Sequence, residues 1–137
     1  MLNLDQVKSD IEKWITDFVE VPHPALGGWP PCPYAKKARL ERDFDIRIGM
    51  DPYFDLLNLS IDGLGGKSVV IYVYDANYWK YDQFSFSLKC ANLDYLLKRD
   101  ILALEDHPAD PEWVNGICMN QGTYAMAMCR SEEHTSE

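Results

Sequence analysis

A cysteine set between prolines is the residue of this sequence that most directly suggests chemistry. In the segment 27–41, GGWPPCPYAKKARLE, Cys32 is followed by residues that favour a helix. The pattern predicts Cys32 at the N-cap of that helix and Pro33 in its first turn, the preferred place for proline. A thiol at a helix N-terminus meets the positive end of the helix dipole, which favours the reactive thiolate. Cys32 is therefore a candidate catalytic nucleophile, and the alternative is a small residue filling a tight corner.

A histidine near the end of a predicted strand is the candidate partner for this thiol. His107 comes just after the apolar run ILALE, within the sequence Asp106-His107-Pro108. The ends of strands in α/β sheets are where functional groups gather. As a general base, His107 would form a Cys–His pair with Cys32, and the alternative is a hydrogen-bonded turn residue. If the pair exists, the thiol and the imidazole should lie within one hydrogen bond or one bridging water.

Three aromatic residues near these two positions are candidates for ligand binding. Trp29 and Tyr34 flank the cysteine, and Trp113 lies in the loop that follows the histidine. Aromatic walls are typical of small-molecule pockets. The alternative is that these large side chains anchor irregular loops to a small core.

Neither a metal nor a cofactor is predicted. The possible zinc ligands lie far apart in the sequence, and the acidic residues of one loop lack the spacing of an EF-hand. Phosphate-binding, dinucleotide-binding and hydrolase motifs do not occur. The residues considered are His23, Cys32, His107 and Cys118 for zinc, and Asp106, Asp110 and Glu112 for a hard cation.

Charge and composition restrict the possible partners. The chain has 137 residues and a formal net charge of −9, which argues against nucleic acid or an anionic membrane as partner. The N-terminus lacks the pattern of a signal peptide, and the longest apolar run, Val69–Tyr74, is too short to span a bilayer. The four cysteines form no CxxC pair, so we expect reduced thiols and a cytoplasmic protein. Two functions follow: a domain that binds a protein partner or a small ligand, or a thiol-dependent enzyme or redox protein that uses Cys32.

Hydrophobic periodicity predicts an α/β fold. An apolar stripe at helical spacing predicts a helix over 4–19, and the β-branched run near 69–74 is typical of a central strand covered on both faces. Strands separated by helices favour crossovers onto one sheet. We therefore expect a two-layer α/β sandwich of about four strands, with a ferredoxin-like arrangement as one candidate. The other predicted elements are helices over 34–41, 53–62 and 81–99, strands over 43–50, 101–105 and 123–129, and loops over 21–33 and 106–116.

The last eight residues differ in character from the rest of the chain. Residues 130–137, RSEEHTSE, are polar, lack periodicity and read as the translation of a common sequencing adaptor. We therefore expect a single domain over 1–129 and a natural chain that continues past Cys129. The last strand would then lack whatever follows it, which predicts exposed apolar surface or an open edge, and with either of them association into a homo-oligomer.

Short motifs give two resemblances. The segment CPYA at 32–35 resembles the Cys-Pro-Tyr-Cys of glutaredoxins, with Ala35 in place of the second cysteine, and implies a thioredoxin-type fold. A resemblance over more of the chain is to a family of uncharacterised bacterial proteins, through PPCPYAKKA, YDQFSFSLKCANLDYLL and LALEDHPADPE. The departures from that family are the inserted VPHPALGGWP and Asp106, where an aromatic residue would precede the histidine. This resemblance implies a fold and marks Cys32 and His107, but it implies no activity.

Overall fold

A four-stranded sheet forms the centre of the computed structural model, which describes residues 2–110, 112–119 and 122–132. The strands follow the order β1-β2-β6-β3, and β4 pairs with β5 in a separate hairpin. In chain order the helices are α1 (Leu4–Trp14), α2 (Ala35–Leu40), α3 (Pro52–Asp62) and α4 (Tyr81–Ala91), and the strands are β1 (Phe44–Ile48), β2 (Val69–Tyr74), β3 (Ile101–Asp106), β4 (Trp113–Val114), β5 (Ile117–Cys118) and β6 (Ala125–Ser131).

Helix α1 confirms the first predicted helix. The side chain of Asn3 caps it by accepting a hydrogen bond from the backbone N–H of Gln6 at 3.0 Å. Val7 and Ile11 are buried, and the chain continues as a π-helical turn over Ile15–Val19. The apolar stripe therefore runs along both segments, as the spacing predicts.

Both faces of the sheet are covered, which confirms the α/β sandwich. Helices α3 and α4 pack on one face through a core that includes Leu56, Phe84 and Leu88. Helix α1 covers the opposite face with Val7 and Ile11. The two-layer prediction describes the sheet with α3 and α4, and α1 adds a cover over the second face. Strand β2 faces both clusters, with Val70, Tyr72 and Tyr74 on the α3/α4 side and Ile71 and Val73 on the α1 side.

The strand order differs from the ferredoxin-like candidate. Strand β1 pairs directly with β2 in parallel, and α3 connects them. Strand β6 lies antiparallel between β2 and β3, which α4 connects, so this half forms a split β-α-β unit. The ferredoxin-like repeat β-α-β-β-α-β contains two such split units, whereas the described residues of this chain form one.

Helices α3 and α4 begin and end where local signals predict. Asp51 caps α3 by accepting a hydrogen bond from the N–H of Phe54, Pro52 occupies the first turn, and Gly63 ends the helix with φ 81°. The helix predicted over 81–99 is confirmed, since α4 continues as a π-helical turn and a final 3₁₀ turn.

The predicted start of the short second helix is wrong. Helix α2 begins at Ala35 with Tyr34 at the cap position, so Cys32 is not the N-cap. The N–H of Cys32 donates to the carbonyl of Val19 at 3.1 Å, and its carbonyl accepts from Ala35 in a turn ahead of the helix. The cysteine is thus tied to the end of the first helical segment, and no strand directly precedes it as in a thioredoxin-type fold.

A hairpin occupies part of the predicted loop 106–116. Asn115 and Gly116 have positive φ values of 50° and 84°, the conformation of a type I′ turn between β4 and β5. The side-chain amide of Asn115 donates to the carbonyl of Ala25 at 2.9 Å, so the hairpin rests on the proline-rich loop.

Strand β6 is an inner strand of the sheet, so it provides no open edge itself, and the predicted association of the chain stays a prediction. It lies between β2 and β3, and Ala125, Met126 and Cys129 are fully buried. The strand continues past Cys129, because Arg130 pairs with both neighbouring strands. Residues 133–137 of the predicted tail lie outside the described residues. The open edges of the sheet belong to β1 and β3.

Candidate functional site

The carboxyl ends of three strands meet at one edge of the sheet. Strand β6 is antiparallel to both β2 and β3, so β1, β2 and β3 all run in one direction. Loops that follow such strands form the sites of most open α/β sheets. The polar residues at this edge therefore define the region in which a site is expected.

His107 lies at this edge but has a structural environment. It is 3% exposed, and its Nε2 lies 2.8 Å from the carbonyl oxygen of Trp79. Its Nδ1 accepts a hydrogen bond from the N–H of Ala109 at 3.0 Å, so the proton is on Nε2, which donates to Trp79. The rings of Tyr81 and Phe84 lie 5.8 and 6.0 Å away. Both imidazole nitrogens are thus engaged by backbone groups, and neither is available as a base.

We expect substitution of His107 to weaken the fold. His107→Ala removes two hydrogen bonds, one to the carbonyl of Trp79 and one from the N–H of Ala109, and takes a buried ring out of its contacts with Tyr81 and Phe84, at a cost of about 2–3 kcal/mol. Urea unfolding at pH 7 measures this change, with the exposed Lys98→Ala as the matched control. A loss below about 0.5 kcal/mol for His107→Ala would contradict the structural role.

The structure does not bring Cys32 and His107 together. The backbone of Cys32 binds the end of the helical segment on the α1 side of the sheet. His107 packs against α4, which covers the opposite side. Cys32 is half-buried, and none of the four cysteines forms a disulfide. The geometry therefore provides no Cys–His pair.

The three predicted aromatic residues do not enclose a pocket. Trp29 and Trp113 are 65% and 64% exposed, and Tyr34 is also exposed. Trp29 forms an isolated bridge with His23 inside the proline-rich loop, while Trp113 lies on the hairpin that rests on this loop. These side chains lie on the surface of a loop assembly, without buried walls around them.

A hydrogen-bonded tyrosine–aspartate pair lies at the carboxyl ends of β1 and β2. The buried hydroxyl of Tyr74 donates to Asp55 Oδ2 at 2.8 Å, and the same oxygen accepts from the N–H groups of Met50 and Asp51. Burial and the adjacent Asp55 carboxylate raise the pKa of Tyr74 far above its ordinary value. The Asp55 oxygen thus has three partners, so this pair holds the start of α3 in place.

Asp106 Oδ1 differs from the Asp55 oxygen, because the described residues offer it no hydrogen bond. It is the last residue of β3, it is only 5% exposed, and its neighbour across the ladder is Met126 on the α1 side. Among the described residues, none forms a hydrogen bond with Asp106 Oδ1. Burial, together with the charges of Asp110 and Glu112, raises the pKa of Asp106 to about 7. A buried carboxyl oxygen without a partner is rare in a folded protein and indicates a functional role or a bound molecule.

A second buried polar atom without a hydrogen-bond partner among the described residues lies near Asp106. The indole Nε1 of Trp14 is buried, and the described residues offer it no acceptor. The backbone of Gly122 lies between the two groups, since a Cβ there would lie 3.8 Å from Asp106 Oδ1 and 4.0 Å from Trp14 Nε1, and 2.9 Å from the terminal methyl group of Met126. A carboxyl oxygen and an N–H donor therefore border one space beside Gly122, which among the described residues only the flexible end of Met126 enters.

This space adjoins a groove between helix α1 and the start of β6, which we call the α1–β6 groove. It is a half-open groove on the surface, with a volume of about 410 Å³. One wall is formed by α1 and the turn that follows it, and the other by the segment 122–126. Its aromatic and apolar lining consists of Ile11, Trp14, Phe18, Tyr124 and Met126, and its charged lining of Asp10, Lys13 and Asp17.

Hydrogen bonds stabilise the carboxylate of Asp10 on the rim of the groove. The Tyr124 hydroxyl donates to Asp10, which also accepts from the side-chain amide of Gln6. These bonds lower the pKa of Asp10, while the bond to Asp10 and burial raise the pKa of Tyr124 to about 12. Asp10 is therefore ionised at neutral pH, and the rim disfavours an anionic ligand.

The sequence pattern predicts Asp106 in a loop, whereas the structure buries it at the end of β3. The signal was present in the alternation of β3, because Leu102, Leu104 and Asp106 share one face of the strand. A carboxylate in line with two leucines at a strand end is a better indication of a buried group than the loop composition that follows it.

The chain is an α/β sandwich in which two buried polar atoms, Asp106 Oδ1 and Trp14 Nε1, lie near the carboxyl edge of the sheet without a hydrogen-bond partner among the described residues. Comparison with family models, with curated proteins and with solved structures gave no match to this chain. The two resemblances drawn from short motifs therefore stay predictions. In the described part of the chain, no three His, Cys, Asp or Glu side chains are arranged to hold a metal ion. Within those same ranges, every helix is too short or too polar to span a bilayer.

Proposed function

We propose that this protein is a binding domain for a small uncharged molecule, held at the inner side of the α1–β6 groove between Trp14, which lines the groove, and Asp106, which lies behind Gly122. The observation that carries the proposal is that two buried polar atoms without partners, Asp106 Oδ1 and Trp14 Nε1, border the same space at Gly122. Each such atom costs free energy until a partner binds it, so a ligand that satisfies both gains affinity.

The two atoms specify the chemistry of the ligand. The indole N–H only donates, and a carboxylate only accepts. A single ligand group that serves both must accept one hydrogen bond and donate another, as a hydroxyl or a primary amide does. An ammonium group has no lone pair for Trp14, and a carboxylate would face Asp106 together with Asp10 and Asp17 on the rim. The preferred ligand is therefore a small alcohol, polyol or amide.

A thiol-dependent activity has less support. A nucleophilic cysteine needs a base or a cationic environment that stabilises the thiolate. His107 packs on the other side of the sheet from the backbone partner of Cys32, and both of its ring nitrogens bind backbone groups. A half-buried cysteine at a turn fits the alternative of a small residue in a tight corner.

Indole N–H resonances test the binding proposal directly. The chain has four tryptophans, so a ¹⁵N-labelled sample gives four indole signals, and Trp14→Phe assigns the relevant one. We expect acetamide and glycerol to shift the Trp14 signal at pH 8, and acetate and methylammonium to leave it unchanged. The exposed Trp29 and Trp113 serve as internal controls, because a nonspecific effect moves them as well.

Gly122→Ala is the variant that tests whether the space beside Asp106 and Trp14 binds a ligand. The new methyl group fills the space beside Asp106 and Trp14, and the flexible end of Met126 is the only near neighbour that must move among the described residues. We expect the fold to lose at most about 1 kcal/mol and the acetamide response of Trp14 to disappear. A wild-type Trp14 signal that no probe moves, or a response that survives Gly122→Ala, would overturn the proposal.

A further inference from the structure

The two open edges of the sheet, β1 and β3, differ in whether other residues occupy their outward backbone groups. Along β3, the side-chain amide of Asn92 pairs with the backbone of Ala103, donating to its carbonyl at 3.0 Å and accepting from its N–H at 2.9 Å. This contact occupies backbone groups on which another strand would pair. Proteins commonly block edge strands in such ways to prevent unwanted association.

Strand β1 has no such block. Gly49 donates its N–H to the carbonyl of Val73, and Asp43 accepts from the N–H of Ser68, so both residues direct their backbone groups toward β2. Backbone direction alternates along a strand, and the N–H and C=O groups of residues 44, 46 and 48 therefore point to the open edge. Among the described residues, none forms a hydrogen bond with these outward groups.

This open edge lies in a groove of about 690 Å³, which we call the β1-edge groove. Phe44, Asp45 and Ile46 form its floor on the strand side. Helix α1 and the end of α2 form its flanks, so an extended chain laid along β1 would contact side chains from both helices. The five residues of β1 span roughly 17 Å, enough for pairing with a segment of similar length.

The flanks of the β1-edge groove are cationic, although the whole chain carries a net charge of −9. Four basic residues line it, against two acidic ones, Glu12 and Asp45. Asp45 is paired with Arg47 at 2.9 Å. Arg39 is paired with Glu20, and the remaining basic residues have no ion pair within the described part of the chain. The basic residues are Lys8, Lys13, Arg39 and Arg42.

We infer that the β1 edge binds an extended acidic segment of a partner protein, which adds to the sheet as a fifth strand. Backbone hydrogen bonds to Phe44, Ile46 and Ile48 would supply the register, as in other cases of strand addition. Carboxylates of the partner would meet Lys8, Lys13 and Arg42 on the flanks. This site lies apart from the α1–β6 groove and is independent of the small ligand proposed for it.

A short synthetic peptide tests the inference with the intact chain. The probe is Ac-ETETETE-NH₂, and the matched control is Ac-KTKTKTK-NH₂, which has the same strand propensity and the opposite charge. We expect the acidic peptide to bind at least about tenfold more tightly at low salt, with an affinity that falls as salt rises. We also expect the backbone amides of Phe44 and Ile46 to exchange more slowly with solvent once it is bound.

Paired variants locate the binding. Lys8→Gln/Arg42→Gln changes two exposed residues that do not line the α1–β6 groove, and we expect about fivefold weaker peptide binding. Lys89→Gln/Lys98→Gln removes the same charge from exposed positions on and after α4 and should leave the affinity unchanged. Equal binding of the two peptides would overturn the inference. So would binding without protection of the Phe44 and Ile46 amides, which would indicate an anion site that needs no strand pairing.

Discussion

Asp106→Asn is expected to stabilise the protein at pH 8 by up to about 4 kcal/mol and to have almost no effect at pH 4. The substitution keeps the size of the side chain and removes its charge. Asp106 is 5% exposed, and burial beside Asp110 and Glu112 raises its pKa from 3.8 to about 7. At pH 8 the wild-type fold must therefore hold a buried carboxylate, whereas the variant holds a neutral amide.

The direction of this pH dependence follows from proton linkage. Between pH 3.8 and about 7 the folded state binds a proton at Asp106 that the unfolded state has already released. Stability that depends on this group is fully present below pH 3.8 and declines as the pH rises to about 7. Most paired carboxylates act in the opposite sense, and Asp10 and Glu20, whose pKa values are lowered by hydrogen bonds, contribute stability that is lost on acidification.

The difference in unfolding free energy between Asp106→Asn and the wild type reports on Asp106 alone, because the other carboxylates are the same in both proteins. Guanidinium unfolding at pH 4, 5, 6, 7 and 8 gives the two stability curves, and we expect them to separate progressively above pH 4. Asp62→Asn, at an exposed position, is the control and should run parallel to the wild type at every pH. A variant curve parallel to the wild type would show that Asp106 titrates normally, and the case for an unsatisfied buried carboxyl would fail.

Gly49→Ala is expected to destabilise the fold by about 3 kcal/mol. A Cβ at this position would lie 2.6 Å from the Tyr74 hydroxyl oxygen and would overlap the ring itself. The ring is buried, its hydroxyl is bound to Asp55, and it packs against Phe84 with ring centroids 5.5 Å apart. Because these contacts hold the ring, the strain falls on the backbone where β1 meets β2.

A double-mutant cycle checks this cause. In a Tyr74→Leu background the overlap is gone, and we expect Gly49→Ala to cost less than about 1 kcal/mol in urea unfolding. Gly122→Ala is the matched glycine control, because the methyl group there meets mainly the flexible end of Met126. An equal cost of Gly49→Ala in both backgrounds would attribute the loss to strand conformation and not to the tyrosine ring.

Helix α1 borders both proposed binding sites. Its buried stripe packs on the sheet through Val7 and Ile11, while its two flanks line the α1–β6 groove and the β1-edge groove. Lys13 lines both grooves. The variants chosen for the two tests, Gly122→Ala and Lys8→Gln/Arg42→Gln, each affect one groove alone, so either proposal can fail without the other.

Local signals in the sequence determined most of the helices and strands. The stripe of α1, the Asp51-Pro52 start of α3 and the β-branched run of β2 all depend on contacts between near neighbours along the chain, which composition and spacing describe. The Asn115-Gly116 hairpin carried an equally local signal, and the prediction of a featureless loop overlooked it. Cys32 failed as a cap because its N–H binds Val19, a residue outside the local pattern.

Only the tertiary structure decided the strand order and the candidate sites. Alternation in β3 shows that Leu104 and Asp106 share a face, but not that α1 covers it or that Trp14 lies beside the gap at Gly122. Strand β6 pairs with β2 and β3, which lie far from it in the chain. The spacing of residues along the sequence does not predict which strands become neighbours. Periodicity fixes the direction of each side chain relative to its own element, whereas the site depends on which elements pack together, a result of long-range burial and hydrogen bonding.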